Sequence, residues 1–240
     1  MFSIIAILFG CTKTYTGPVS SGVTSLNIVN AIPGSSSVIA NVNGQLPYYK
    51  SQISIGSGGY LPYQFSGGNT IISFVQTTDT TTPLVSMPAT TLDNGTIHSL
   101  FLTGTISSPE TMLVTDNLIH YGGKDMTSDS TTGIRFVNLS PGGSPISINI
   151  QGQSNGSEIG GLAYKQITDF KAYDAMSTVS KYTFEFRDAS SGSLLATYEL
   201  DGVNNGSNGN TSKNNVRFRN LTIIFQGLPG SESAFVMNDF

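Results

Sequence analysis

Leu26-Asn27-Ile28-Val29-Asn30-Ala31-Ile32-Pro33-Gly34 recurs as Ile134-Arg135-Phe136-Val137-Asn138-Leu139-Ser140-Pro141-Gly142, a spacing of 108 from 26 to 134. The match continues without a gap, from Val38-Ile39-Ala40-Asn41-Val42-Asn43-Gly44 to Ile146-Ser147-Ile148-Asn149-Ile150-Gln151-Gly152. Self-similarity at such a distance marks a duplicated module. Further on, Tyr60-Leu61-Pro62-Tyr63 faces Phe170-Lys171-Ala172-Tyr173, and Asn69–Phe74 faces Lys181–Phe186. Each half then has a strand-like run closing on glycine, His98–Gly104 and Leu221–Gly227, followed by a last apolar segment, Met112-Leu113-Val114 or Ala234-Phe235-Val236-Met237.

The local pattern is β. Val38–Asn43 and Ile146–Ile150 alternate apolar with polar residues at period two, which predicts one face on a core and the other in water. Val, Ile, Thr, Tyr and Phe fill these runs, and clusters such as Pro33-Gly34-Ser35-Ser36 and Pro141-Gly142-Gly143 punctuate them. No window carries a capped 3.6-residue period, so helices should be few. About seven short strands per hundred residues is the pattern of a β-sandwich. The expected fold is all-β, with two tandem immunoglobulin-like or transthyretin-like β-sandwiches. The first covers 23–118, a linker covers 119–132, and the second covers 133–240. In the second, the stretch from Asp201 to Asn214, rich in Asn and Gly, reads as a long mobile loop with no counterpart in the first.

The 240 residues carry only 11% charged side chains and a net charge of −4. That is too little positive charge to neutralise a run of phosphates, so nucleic acid is not an expected partner. Two His and one Cys leave no material for a disulfide framework or a zinc cluster, and little for a Cys–His or Ser–His nucleophile. No metal and no cofactor are expected.

The lone cysteine stands at an informative place. Met1–Phe9 is nearly continuously apolar, and Gly10-Cys11 is followed by a polar run from Thr12 to Pro18. Nine residues are too few for a membrane-spanning helix, which needs about 20, but suit the apolar core of a signal peptide. No Lys or Arg precedes Ile4. Leu8-Phe9-Gly10-Cys11 resembles a bacterial lipobox. The resemblance implies that residues 1–10 are a signal peptide, that Cys11 carries a diacylglycerol, and that 11–22 form a tether. The alternative is a buried first strand with Cys11 as an ordinary small apolar residue. The absence of Asp directly after Cys11 is compatible with an outer-membrane or cell-surface location.

The paired Val-Asn-x-x-Pro-Gly starts, the Asn-Val-Asn-Gly and Asn-Ile-Gln-Gly strand ends, the Tyr-Leu-Pro-Tyr segment and the late strand closing on Gly resemble tandem copies of the domain-of-unknown-function family numbered 4397. That family is found in secreted and lipid-anchored bacterial proteins. The resemblance covers most of Thr24 to Phe240 and implies β-sandwiches, with no catalytic residues to carry over.

Candidate chemistry is sparse. Asn30 and Asn138 suit the turn after the first strand of each half, with a ligand contact as the rival reading. His98 and His120 lack any His-x-His or Glu-x-x-His spacing. Glu185 and Glu199 fall in neighbouring expected strands and would make a glycosidase pair only if they faced a cleft. Asp201 is the only carboxylate of its loop, too few for calcium, and Gly56-Ser57-Gly58-Gly59 reads as a turn. The aromatics could stack on sugar rings or form a protein hot spot, but the repetition of Tyr60 and Tyr63 as Phe170 and Tyr173 suits core or corner positions. The doublet Tyr48-Tyr49, echoed in part by Tyr164 alone, must expose one member if it lies in a strand, a candidate ligand contact. Asp79-Thr80-Thr81 and Asp129-Ser130-Thr131 resemble short O-glycosylation sites of exported bacterial proteins, with Thr80 and Ser130 as acceptors. The expected function is a non-enzymatic, lipid-anchored envelope protein whose loops bind a glycan or a protein. A spacer or pilin-like assembly subunit is the alternative, and a glycan-acting enzyme ranks last.

Overall fold

The computed structural model describes residues 22–44, 53–121, 130–206 and 212–239. All regular structure among them is β, as expected from the period-two pattern. In the first half, β1 (Thr24–Asn30), β3 (Gly59–Phe65), β8 (Ile97–Thr105) and β9 (Ser108–Thr115) form an inner sheet in the order β3-β1-β8-β9. The outer sheet is β2 (Val38–Val42), β5 (Ile72–Gln76) and β6 (Asp79–Ser86); β4 (Gly68–Thr70) pairs with β7 (Thr90–Leu92) beside them. The second half repeats the plan. Its inner sheet holds β10 (Thr131–Leu139), β13 (Gln166–Ile167), β14 (Lys171–Asp174), β17 (Asn220–Gln226) and β18 (Ser233–Asn238). Its outer sheet holds β11 (Ile146–Ile150), β12 (Ile159–Leu162), β15 (Lys181–Asp188) and β16 (Leu194–Asp201).

Each inner sheet is antiparallel except at its centre, where β1 runs parallel to β8 and β10 parallel to β17. Leu26, Ile28, Phe74, Leu100 and Leu102 fill the first sandwich, and Ile134, Phe136, Ile148, Phe184, Phe186, Ile223 and Phe225 the second. The alternate residues of the same inner strands, Val29, Phe101, Val137, Leu139, Ile224 and Met237, make a third core between the halves. The two inner sheets therefore pack on each other, and four sheets stack in one block. This explains why Leu100-Phe101-Leu102 and Leu221–Phe225 read as unbroken buried runs: strands covered on both faces have no water-facing row.

The repeat is legible at two fixed points. Asn30 and Asn138 are both buried, and each amide spans from the end of the first strand to the edge of the outer sheet. Asn30 Nδ2 donates to the Ile55 carbonyl (3.1 Å) and its Oδ1 accepts from the Ile32 amide (3.3 Å). Asn138 does the same with the Leu162 carbonyl (2.9 Å) and the Ser140 amide (3.0 Å). The turn role is the one seen for both. Gly104 and Gly227 adopt φ of +80° and +107°, and a methyl group on either would run into a carbonyl oxygen, that of Ser108 or Ser231.

Four expectations need correction. Strand register aligns Phe65 with Tyr173 and Tyr60 with Ile167, because Phe65 lies opposite Thr24, Tyr173 opposite Thr132, Tyr60 opposite Val29 and Ile167 opposite Val137. Matching aromatic to aromatic missed the extra residue that splits the second-half strand into β13 and β14. Ser147 and Asn149 do not face water; they are 2% and 1% exposed. The segment after β11 folds over them, with Ser147 Oγ donating to Asn155 Oδ1 at 2.7 Å. Strand β10 begins at Thr131, inside the expected linker, because Thr131 and Thr132 pair with Asp174 and Tyr173. Ile119 is also pinned: its amide donates to Asn220 Oδ1 (3.0 Å) and its carbonyl accepts from Asn220 Nδ2 (2.9 Å). Lastly, both flanks of the Asn/Gly-rich loop are fastened. Asn214 Nδ2 donates to the carbonyls of Val203 (2.9 Å) and Asn205 (2.8 Å), and Val203 is fully buried.

Candidate functional site

Cys11, Tyr48 and Tyr49 lie outside the described residues. Thr80 sits at the β5–β6 hairpin, where Asp79 Oδ1 accepts hydrogen bonds from the amides of Thr81 (2.9 Å) and Thr82 (3.2 Å). The Thr81 hydroxyl also donates to Asp79 Oδ1 (2.7 Å), and it, with those amides, holds the Asp79 carboxyl well below the usual carboxylate range. Ser130 is half-buried directly before β10, its carbonyl accepting from the Ala175 amide at 2.6 Å.

Glu185 and Glu199 do lie on paired strands, but diagonally: Glu185 is opposite Thr197 and Glu199 opposite Thr183. Both are engaged. Glu185 accepts from Asn149 Nδ2 (2.8 Å) and pairs with Arg187 (2.9 Å), and Glu199 pairs with Lys181 (2.5 Å). Hydrogen bonding lowers the pKa of each. Glycoside hydrolysis needs one carboxyl with a raised pKa as proton donor, and neither residue supplies it. His98 is 5% exposed, between Thr96 Oγ1 (2.7 Å) and Thr115 Oγ1 (3.2 Å), and burial lowers its pKa, which keeps the ring neutral near pH 7. The described residues contain no group of three or more His, Cys, Asp or Glu suited to a metal ion.

The aromatics divide by place. Tyr173 is core, its Oη donating to Glu158 Oε2 at 2.6 Å. Tyr60 and Tyr164 work at the junction of the halves: Tyr60 Oη accepts from the Asn238 amide (3.2 Å), and Tyr164 Oη donates to Glu110 Oε1 (3.3 Å). Tyr63 and Phe65 instead border a cleft of about 600 Å³ between β2 and β3, shared with Ala40, Val42, Asn43 and Gln64. These are the edge strands on the side of the sandwich away from β6 and β9. Tyr63 Oη is buried there with no hydrogen-bond partner, and burial raises its pKa. Asn43, which lines this cleft, and Gly44 are the last described residues before 45–52.

In the second half the corresponding space is lined by β12, whose first-half counterpart falls partly in 45–52, outside the described residues. Ala40 and Val42 correspond to Ile148 and Ile150, and there β12 pairs with β11 while Ile159 packs on the core. Glu158 seals the edge by accepting from Tyr173 and from Lys171 Nζ (2.7 Å). Among the described residues the first-half cleft has an apolar floor, a phenol without a partner and an exposed residue at Gln64. Rings and amides in such an arrangement can stack on and hydrogen-bond a polar ligand.

One cluster escaped the sequence reading. Arg135 is 3% exposed at the junction, with Nη1 2.8 Å from Asp116 Oδ1 and Nη2 2.9 Å from Asp239 Oδ1; both carboxylates are fully buried. Arg135 also donates to Thr222 Oγ1 (2.7 Å) and Ser99 Oγ (3.1 Å), and its guanidinium lies 4.4 Å from the centroid of the Phe170 ring. Its signal in the sequence is a charge inside Ile134-Arg135-Phe136-Val137, at the position where the first half has Asn27.

No family model and no curated protein matches the chain. Among solved structures it is similar to a carbohydrate-binding module of family 26 from Eubacterium rectale, solved in complex with maltoheptaose, at 12% identity and a TM-score of 0.26, covering 89% of this chain and 96% of that one. It is also similar to a tip fimbrial protein of Porphyromonas gingivalis with a C-terminal truncation, at 12% identity and a TM-score of 0.26, covering 91% of this chain and 99% of that one.

Proposed function

We propose that the protein is a non-enzymatic binding module of the cell envelope, anchored by a lipid on Cys11 at the outer membrane or cell surface, which takes a glycan in the cleft between β2 and β3. Tandem copies of the 4397 family supply its scaffold in this reading, and Thr80 and Ser130 are sites of O-glycosylation. The observation that carries the binding role is the cleft itself. It brings together Tyr63, Phe65 and Gln64, with the Tyr63 hydroxyl unpartnered among the described residues. The engaged state of Glu185 and Glu199 supports a role without catalysis.

Glycan arrays probed with the wild-type protein and with Gln64→Ala, Tyr48→Ala and Tyr49→Ala test the cleft. Retention on one class of saccharide, weakened about tenfold by Gln64→Ala, is expected from the loss of a ligand hydrogen bond. Unchanged retention in all three variants rejects the cleft. Capture of a peptide instead of any saccharide assigns it to a protein partner. In cells, a palmitate analogue should label the wild type and not Cys11→Ala, and equal labelling removes the anchor. Mass spectrometry of the native protein should find hexose-bearing peptides at Thr80 and Ser130.

A rigid spacer or pilin-like assembly subunit is the second reading, favoured by the apolar core that locks the inner sheets together. Concentration-dependent polymerisation on a sizing column is its distinguishing result.

A further inference from the structure

The junction holds one guanidinium between two carboxylates. Asp116, directly after β9, comes from the first half; Arg135 on β10 and Asp239 after β18 come from the second. Backbone bonds fix both acids, the Asp116 amide donating to the Ile97 carbonyl (2.8 Å) and the Asp239 amide to the Asn220 carbonyl (2.9 Å). Neutral donors complete the cluster: Ser99 Oγ to Asp116 Oδ2 (2.8 Å) and Thr222 Oγ1 to Asp239 Oδ2 (2.7 Å). The Phe170 ring covers the guanidinium, and the Asp116 charge also acts on the His98 ring of β8. With both acids ionised, a water-free site would carry a net charge of about −1, which is costly in a medium of low dielectric.

We propose that Asp116, Arg135 and Asp239 form a proton-dependent clamp between the two sandwiches: with a proton on Asp239 the junction is electrically balanced and tight, and loss of that proton loosens it. Asp116 to Arg135 is then the ion pair that ties one half to the other, and Asp239 sets how much buried negative charge competes for the same guanidinium. Burial raises the Asp239 carboxyl to about 7, against the opposing pull of Arg135 and Thr222. An aspartate in an unfolded chain releases its proton at about 3.9. Between those values the folded chain holds a proton that the unfolded chain has lost, so this group's contribution to stability falls as pH rises from about 4 to about 7 and is level above.

Thermal unfolding of the full chain at pH 5 and pH 8, for the wild type and for Asp239→Asn, tests the clamp. Asparagine keeps the shape of the protonated acid and cannot ionise. The variant should gain melting temperature relative to the wild type on going from pH 5 to pH 8, by several degrees. Groups elsewhere in the chain are the same in both proteins and cancel in this difference. An unchanged difference between the two pH values overturns the proposal. If Asp239→Asn does not fold, the carboxyl carbon of Asp239 followed by NMR in the wild type decides: a midpoint near neutrality supports the clamp, and one below pH 4 refutes it.

Discussion

Where the first half carries Asn27, the second carries Arg135; where the first has a cleft beside Tyr63, the second has Glu158 bonded to Tyr173. Beneath the segment that follows the second strand, Ser147 and Asn149 are buried in the second half, at the places that Ile39 and Asn41 hold in the first. What stays the same is narrower: the asparagine that braces each first strand, the glycine that ends each penultimate one, and the parallel pair at the centre of each inner sheet. The repeated residues answer backbone demands that both copies face. Those that differ lie at the junction with the other half, beside the first-half cleft, or beneath the segment that covers β11.

The sharpest break in this symmetry should come from Arg135→Met. It leaves Asp116 and Asp239 buried without a counter-charge, and about 3 to 5 kcal/mol should be lost in urea unfolding. Adding Asp116→Asn and Asp239→Asn should restore most of it; failure to do so would mean that the arginine works by packing alone. The equivalent change at Asn27 removes no charge and should cost far less.

Next come Gly104→Ala and Gly227→Ala. Each forces an L side chain into positive φ and against a carbonyl oxygen, at 2.6 Å in the case of Ser231. A loss of about 3 kcal/mol is expected at both, and a loss at one alone would show that the two hairpins are not equivalent. Asn30→Ala and Asn138→Ala should each cost about 2 kcal/mol by stranding a buried carbonyl and amide. Matched midpoint shifts in denaturant would confirm that the brace does the same work twice.

The smallest effect separates the halves again. Tyr173→Phe loses a hydrogen bond to Glu158 and should cost about 1 kcal/mol, whereas Tyr63→Phe deletes a hydroxyl with no protein partner and should be neutral or slightly stabilising. A loss at Tyr63 equal to that at Tyr173 would show that its hydroxyl is engaged and the cleft filled.

How much of this could be read from the chain follows from the same distinction. Asn30 with Asn138 and Gly104 with Gly227 were visible because backbone geometry restricts which residues can serve there, and it restricts both copies alike. The junction was not, although it left a trace. Val29, Phe101, Val137 and Ile224 interrupt the alternation expected of strands with one wet face, but an unbroken apolar run does not say which surface covers it. The Arg135 cluster joins residues 116, 135 and 239, the last two brought near by strand order within one sheet and the first only by the stacking of two sheets. The aromatic alignment of Tyr63 with Tyr173 failed because side-chain type was compared where the strand count differs by one.

The parallel pairing at the centre of each inner sheet also bears on how quickly the molecule can assemble. Ser25 must meet Ile97, and Gly133 must meet Asn220, sequence separations of 72 and 87 residues. Closing such loops costs chain entropy before any contact offsets it. The outer sheets, built from β5–β6 and β15–β16 hairpins, can form locally and early, whereas each centre waits for the last strands of its own half. The junction needs both centres, so it is the last part to assemble, and refolding should show a slow step whose rate changes with substitutions at Val29, Phe101 or Val137 only if docking of the halves is part of the folding barrier.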